Sequence, residues 1–131
     1  MEKTNDVEKD FYAEAFSRNI GLFSSREQSI LRESVVAIAG LGGVGGNYCL
    51  CLARTGVGGF SFADFDTFEL ANTNRQAGAD TQSMGREKCI VMAEKVRLIN
   101  PHARIRQFNK GISSENVDEF LEGAKVVLDG L

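Results

Sequence analysis

Residues 35–45 constrain this chain more than any other stretch. Val35-Val36-Ala37-Ile38-Ala39 is an unbroken apolar run of strand length, and Gly40-Leu41-Gly42-Gly43-Val44-Gly45 follows it directly. A strand without polar alternation must be covered on both faces, the situation of a central strand in a parallel sheet. The turn then leads into Val44 to Thr55, read as a helix apolar on nearly every side and so packed deep against that sheet. In this setting Gly40 permits a tight turn, Gly42 and Gly43 bare the backbone to phosphate oxygens, and Gly45 lets helix and strand pack closely. The helix start adds free N–H groups and a partial positive charge, together an anion site. No Gly-Lys-Ser/Thr ending is present, so the loop is not of the Walker type.

The same alternation continues downstream. Phe60-Ser61-Phe62-Ala63 reads as a second strand, and Arg86 to Ile99 as an amphipathic helix with Cys89, Met92, Val96 and Ile99 on one stripe. Ile105 and Phe108 mark a short strand. Ser113 then caps a helix that turns Val117, Phe120 and Leu121 inward, and Lys125 to Asp129 is a fourth strand. Upstream, Met1 to Asp10 reads as a polar, frayed leader. Phe11, Ala15, Phe16 and Ile20 recur at helical spacing up to Gly21, and a short helix runs from Ser25 to about Arg32. The expected class is α/β: a Rossmann-like, doubly wound, mainly parallel sheet over residues 35–131, preceded by an N-terminal helical segment over 1–34. A chain that stops at the carboxyl end of a strand reads as truncated after the fourth strand, the front portion of a longer protein.

Length and charge narrow the function classes. The 131 residues allow one domain, and a net charge of −3 gives no electrostatic reason for nucleic-acid binding. Arg97, Arg104, Arg106 and Lys110 cluster in sequence, but Glu94 and Glu115 bracket them, which predicts a solvated face. No apolar run approaches a membrane span, and the acidic first ten residues are unlike a signal peptide. The three cysteines cannot all pair and Cys49-x-Cys51 is no metal knuckle, so buried thiols in a reducing, cytoplasmic setting are expected.

Asp64 follows the second strand at the distance where an acidic side chain accepts both ribose hydroxyls. From Asp66 to Gly85 no period survives, and such a length is unusual for a plain connection, which marks a functional loop. It carries Asn72-Thr73-Asn74-Arg75-Gln76, and Lys88 opens the next helix. Two fixed cations beside a glycine turn suit a polyphosphate, since Arg forks across two oxygens and Lys is a compact charge. A nicotinamide-dependent oxidoreductase domain needs only the glycine fingerprint and the acid, and it stays open as an alternative.

These segments resemble a family. Gly40-Leu41-Gly42-Gly43-Val44-Gly45, Asp64-Phe65-Asp66, Asn72-Thr73-Asn74-Arg75-Gln76, Met84-Gly85-Arg86-Glu87-Lys88 and Ile99-Asn100-Pro101 look like the ubiquitin-activating-enzyme superfamily, in its ThiF/MoeB/HesA branch. The resemblance runs from about Phe16 to Leu131. It implies ATP- and magnesium-dependent adenylation of a carboxylate, usually the C-terminal glycine of a ubiquitin-like or sulfur-carrier protein, with release of pyrophosphate. A tRNA-bound carboxylate, as in related dehydratases, is the other acceptor it implies. By position, Gly43 lies against the nucleotide, Asp64 and Asp66 belong to its site, Asn72, Arg75 and Lys88 bind the triphosphate, and Gln76 lines the pocket. Arg18, in Phe16-Ser17-Arg18-Asn19, fits the arginine that reaches a partner's ATP site in a homodimer, although Asn19 departs from the usual Gln. The carboxylate attacks the α-phosphorus, and Arg75, Lys88 and the partner's Arg18 oppose the charge that builds. The magnesium-binding acid falls beyond Leu131, so Asp129 is a neighbour and no metal ligand lies within the chain. His102 needs no catalytic role. A heterodimer's non-catalytic half is a further alternative.

Overall fold

The computed structural model describes residues 2–131. Four strands form one sheet: β1 (Val35–Ala39), β2 (Gly59–Ala63), β3 (Arg104–Phe108) and β4 (Ala124–Asp129), in the order β3-β2-β1-β4. Every pairing is parallel, with Ile38 level with Phe62 on one side and with Leu128 on the other. Among the described residues five α-helices accompany them: α1 (Glu2–Ala15), α2 (Ser25–Glu33), α3 (Gly45–Thr55), α4 (Lys88–Ile99) and α5 (Val117–Leu121). This is the expected doubly wound half.

β1 sits between two neighbours with both faces covered, which is why its run has no polar interruption. Val36 and Ile38 face α3 and α4, where Cys49, Ala53, Cys89, Met92 and Val96 complete the larger core. Ala37 and Ala39 face the other way, into a smaller cluster closed by Ala63 and Phe120 of α5. At ~25 cal/mol per Å² of apolar area, filling both faces of the sheet supplies most of what holds the domain together.

Several expectations are corrected. α1 is helical from Glu2, not frayed to Asp10, and it ends at Ala15 with a 3-10 turn over Ser17–Asn19; Met1 lies outside the described residues. His102 is the loop residue expected, and its Nδ1 lies 3.6 Å from Glu8 Oε1 while its ring meets Phe11 edge-on. Those contacts give α1 a docking partner that no local pattern announces. Asn116, not Ser113, occupies the N-cap of α5, and only Phe120 of the expected inward trio is fully buried. The outer face of α3 is open: Val44, Tyr48 and Cys51 are exposed, so the helix is not apolar-packed all round and Cys51 is not a buried thiol. The basic cluster also divides. Arg106 caps the end of α5 by donating to the Phe120 and Glu122 carbonyls, and Arg104 donates to the Arg32 carbonyl.

Among the described residues no helix is long and apolar enough to cross a membrane.

Candidate nucleotide site

The glycine turn is built by close approach. A Cβ on Gly45 would stand 1.6 Å from the Gly40 carbonyl oxygen, so only glycine allows α3 to leave β1 at this angle. Gly40 has φ +90°, and a Cβ there would meet the backbone of Gly130 at 2.8 Å. Gly42 and Gly43 differ. Side chains there would meet only Gln76 at 3.6 Å and Arg75 at 3.5 Å, ordinary contacts, so the fold itself does not demand glycine at either place. Both stand at the start of a helix whose N-cap residue, Val44, offers no capping side chain.

Between this turn and the ends of the neighbouring strands lies a cleft of about 370 Å³. It opens at the carboxyl ends of all four strands, where ligands bind in open α/β sheets. Of the residues singled out in the sequence, Gly40, Gly42, Asp64, Asp66 and Lys88 line it, joined by Phe65, Lys110, Gly111, Ile112 and Leu131, whereas Gln76, expected to line the pocket, does not. Lys110 is exposed, as the solvated-face reading expects, and also borders the cleft. The rule that strand ends converge was the available signal: Lys110 follows β3 as Asp64 follows β2. A larger hollow, about 470 Å³, lies between α3, α4 and the end of α1, away from the glycine turn.

Asp64 has a task that sequence reasoning missed. Its Oδ2 accepts the Leu41 N–H at 2.8 Å and its Oδ1 the Asp66 N–H at 2.8 Å, so the carboxylate braces both walls of the cleft. Each oxygen keeps a further lone pair for a hydroxyl. Lys88, the first residue of α4, is buried at 5% exposure. Its ammonium lies 3.9 Å from Asp66 Oδ2 and 5.5 Å from the centre of the Phe68 ring, without a close hydrogen-bonded anion. A charge taken out of water with so little compensation is costly, and an anion in the cleft would offset that cost.

The long loop is not loose. Phe68 is buried to 1% exposure, and a Cβ on Gly78 would strike its ring at 2.4 Å. The loop is also pinned to α4 by Lys95–Asp80 and Arg86–Glu94 ion pairs. Asn72 does not line the cleft; its side-chain oxygen accepts the Glu69 N–H and its carbonyl the Gln76 N–H, which shapes the turn that presents the next residues. Arg75 is exposed beside Gly43, with its guanidinium on the Ala71 carbonyl and the Asn74 side chain. Gln76 is buried beside Gly42, and its Oε1 has no partner. Arg18 is not brought to this group. The Asn19 side chain next to it donates to the Thr55 carbonyl at the far end of α3, an 11-residue helix of about 16 Å.

This geometry can now be set beside known proteins. The family model described as the ThiF family matches residues 16–131. The chain belongs to the ThiF family. Among curated relatives, the tRNA threonylcarbamoyladenosine dehydratase of Escherichia coli is 31% identical over 126 residues, covering 95% of this chain and 47% of that protein. The adenylyltransferase and sulfurtransferase UBA4 of Candida albicans is 28% identical over 98% of this chain and 31% of its own length. A solved structure of the E. coli dehydratase, TcdA, in complex with ATP superimposes with a TM-score of 0.86 at 31% identity, over 91% of this chain and 49% of that one. The chain thus spans about half the length, or less, of the ThiF-family relatives it matches.

Proposed function

We propose that this chain supplies the nucleotide site of an ATP-dependent adenylating enzyme. The observation that carries the reading is Lys88: a buried, under-compensated ammonium at the carboxyl edge of the sheet, beside a glycine turn with bare backbone. ATP's ribose rests on Asp64, its phosphates on the glycine turn, Lys88 and Gln76, with Arg75 closing over Gly43. The substrate carboxylate attacks the α-phosphorus and pyrophosphate leaves, while Lys88 and Arg75 oppose the charge that moves onto the leaving group. Among the described residues no three or more metal-ligating side chains gather into a cage. The chain's own contribution is cationic and backbone: Lys88, Arg75 and the glycine turn.

Similarity to the E. coli dehydratase supports a tRNA-linked carboxylate as the acceptor, and similarity to UBA4 supports the terminus of a small carrier protein as the second reading. Against a non-catalytic half stand the retained Asp64, Arg75 and Lys88. Against a nicotinamide enzyme stands the buried ammonium, more positive charge than a pyrophosphate diester calls for. Because Arg18 stands a helix length from its own glycine turn, it serves catalysis only across a homodimer.

The test is calorimetric titration of ATP into the chain and its Asp64→Ala variant. Affinity should fall by roughly 1–3 kcal/mol, the range for a lost hydrogen bond to a charged group together with the loosened turn. Equal affinity in the two would sink the assignment.

A further inference from the structure

We infer that Asp66 is a built-in competitor for the polyphosphate: it holds the Lys88 ammonium while the cleft is empty, gives it up when phosphate enters, and takes it back as pyrophosphate leaves. The inference rests on the adenylation reading above and adds to it a positioning residue that sets how tightly the phosphates are held.

The two acids of Asp64-Phe65-Asp66 line the same cleft in different states. Both Asp64 oxygens accept backbone N–H groups, so that carboxylate is fixed. Asp66 is fixed by its main chain instead: its N–H donates to Asp64 Oδ1 at 2.8 Å, and its carbonyl accepts the Lys88 N–H at 3.0 Å. Among the described residues nothing donates a hydrogen bond to its carboxylate, which is 57% exposed and has one oxygen 3.9 Å from the Lys88 ammonium. The backbone thus keeps this acid close to the cation, yet beyond the roughly 2.7–2.9 Å of a charge-assisted hydrogen bond. Lys88 is the buried partner, its side chain 7% exposed and its ammonium over the Phe68 ring.

That asymmetry decides what happens when an anion arrives. One ammonium must serve either the carboxylate or a phosphate oxygen. Asp66, more than half exposed, returns to water at little cost, while Lys88 gains the close hydrogen bond it lacks. Apparent affinity falls in proportion to the fraction of molecules in which Lys88 is already engaged. An ion pair with one solvated partner is weak, so the penalty is about two- to fivefold. A competitor of this strength favours release of pyrophosphate over loss of ATP, because ATP keeps its ribose on Asp64 and pyrophosphate has no ribose.

The experiment is calorimetric titration of inorganic pyrophosphate and, separately, of ATP into the full chain and four variants: Asp66→Asn, Asp66→Glu, Lys88→Met and the Lys88→Met/Asp66→Asn pair. Asp66→Asn should bind pyrophosphate about two- to fivefold more tightly with circular dichroism unchanged, since both main-chain bonds of residue 66 survive. Asp66→Glu keeps the charge and should stay nearer the native affinity. In the Lys88→Met background the Asn substitution should tighten nothing. A merely structural residue would lose affinity together with its fold and would not gain it. Equal or weaker pyrophosphate binding in Asp66→Asn overturns the inference. So does a gain that persists undiminished without Lys88, which would mean direct repulsion of the ligand. Pyrophosphate binding that follows this pattern without any ATP binding would keep the competitor and sink the adenylation reading; no binding of either ligand would sink both.

Discussion

The two ends of the sheet treat buried polar groups in opposite ways. At the amino end, Tyr12, Asn19 and Gln28 form a closed set. The Tyr12 hydroxyl donates to the Gly56 carbonyl and accepts from Gln28 Nε2, which also donates to the Thr55 carbonyl, while Gln28 Oε1 accepts from Asn19. Burial raises the Tyr12 phenol's pKa, so it stays protonated and keeps donating. At the carboxyl end, Gln76 Oε1 has no partner and Lys88 has only a distant carboxylate. A satisfied network locks structure, whereas an unsatisfied one raises the energy of the empty cleft and lowers that of the filled one.

The sharpest way to break this contrast is to remove the ammonium. Lys88→Met should weaken ATP binding by roughly 1.5–3 kcal/mol, the range for hydrogen bonds to charged groups. Its melting temperature should hold or rise, because Asp66 is half-exposed and is not orphaned by the change. A large drop in melting temperature with unchanged ATP affinity would make Lys88 part of the scaffold.

Gln28→Leu should do the reverse. Cutting three hydrogen bonds at a site with 6% exposure leaves Asn19 and Tyr12 short of partners and should cost about 1–3 kcal/mol in denaturant unfolding. ATP affinity of the folded fraction should not move. Loss of binding without loss of stability would mean that the two ends are not independent.

Much of the fold and part of the site were legible in residue order, and the rest was not for identifiable reasons. The apolar run of β1, the crowding at Gly45 and the stripe of α4 are local patterns, and the structure reproduces them. Lys110 is exposed as expected, but that it borders the cleft was not legible, because only the convergence of strand ends brings it there. The brace by Asp64 depends on Leu41, far away in the chain, and α1 depends on His102. The cap of α5 moved from Ser113 to Asn116, whose side chain holds the Gly111 carbonyl and the Ser113 N–H. Turn chemistry of this kind is shared among Ser, Asn and Asp, so composition does not say which of them stands at the helix start, and Asn116 gives α5 no side-chain cap bond.

The cysteines give a smaller but cleaner test of the same division. Burial first, then the nearby Asp64 carboxylate, pushes the Cys89 thiol up to about 12, and burial raises Cys49 further. Both stay protonated through alkaline pH, because desolvation disfavours the thiolate. At about pH 8 a maleimide should therefore label one site per chain, Cys51, as read by intact-mass spectrometry. Rapid double labelling in the folded protein would show that the α4 wall of the cleft opens readily.

The smallest effect concerns how firmly the long loop is held beside the cleft. Hydrogen bonds from Lys95 and the Gln82 N–H lower the pKa of Asp80, and those from Arg86 lower that of Glu94. A folded-state pKa below the unfolded one stabilises the pairs above the unfolded value, and this stabilisation is lost as pH falls through the folded value. Both pairs are largely solvated, so the global stability at stake is small. The loop should register the change before the core does. Amide exchange over residues 66–87, corrected for the intrinsic pH dependence, should lose protection between about pH 5 and pH 3, while β1 and β2 keep theirs. Glu94→Gln should remove part of that dependence, since the neutral side chain gives Arg86 the same reach but no charge. Parallel loss of protection in loop and strands would mean that the clamp is part of the cooperative fold, and the loop could not then rearrange over a nucleotide independently of the sheet.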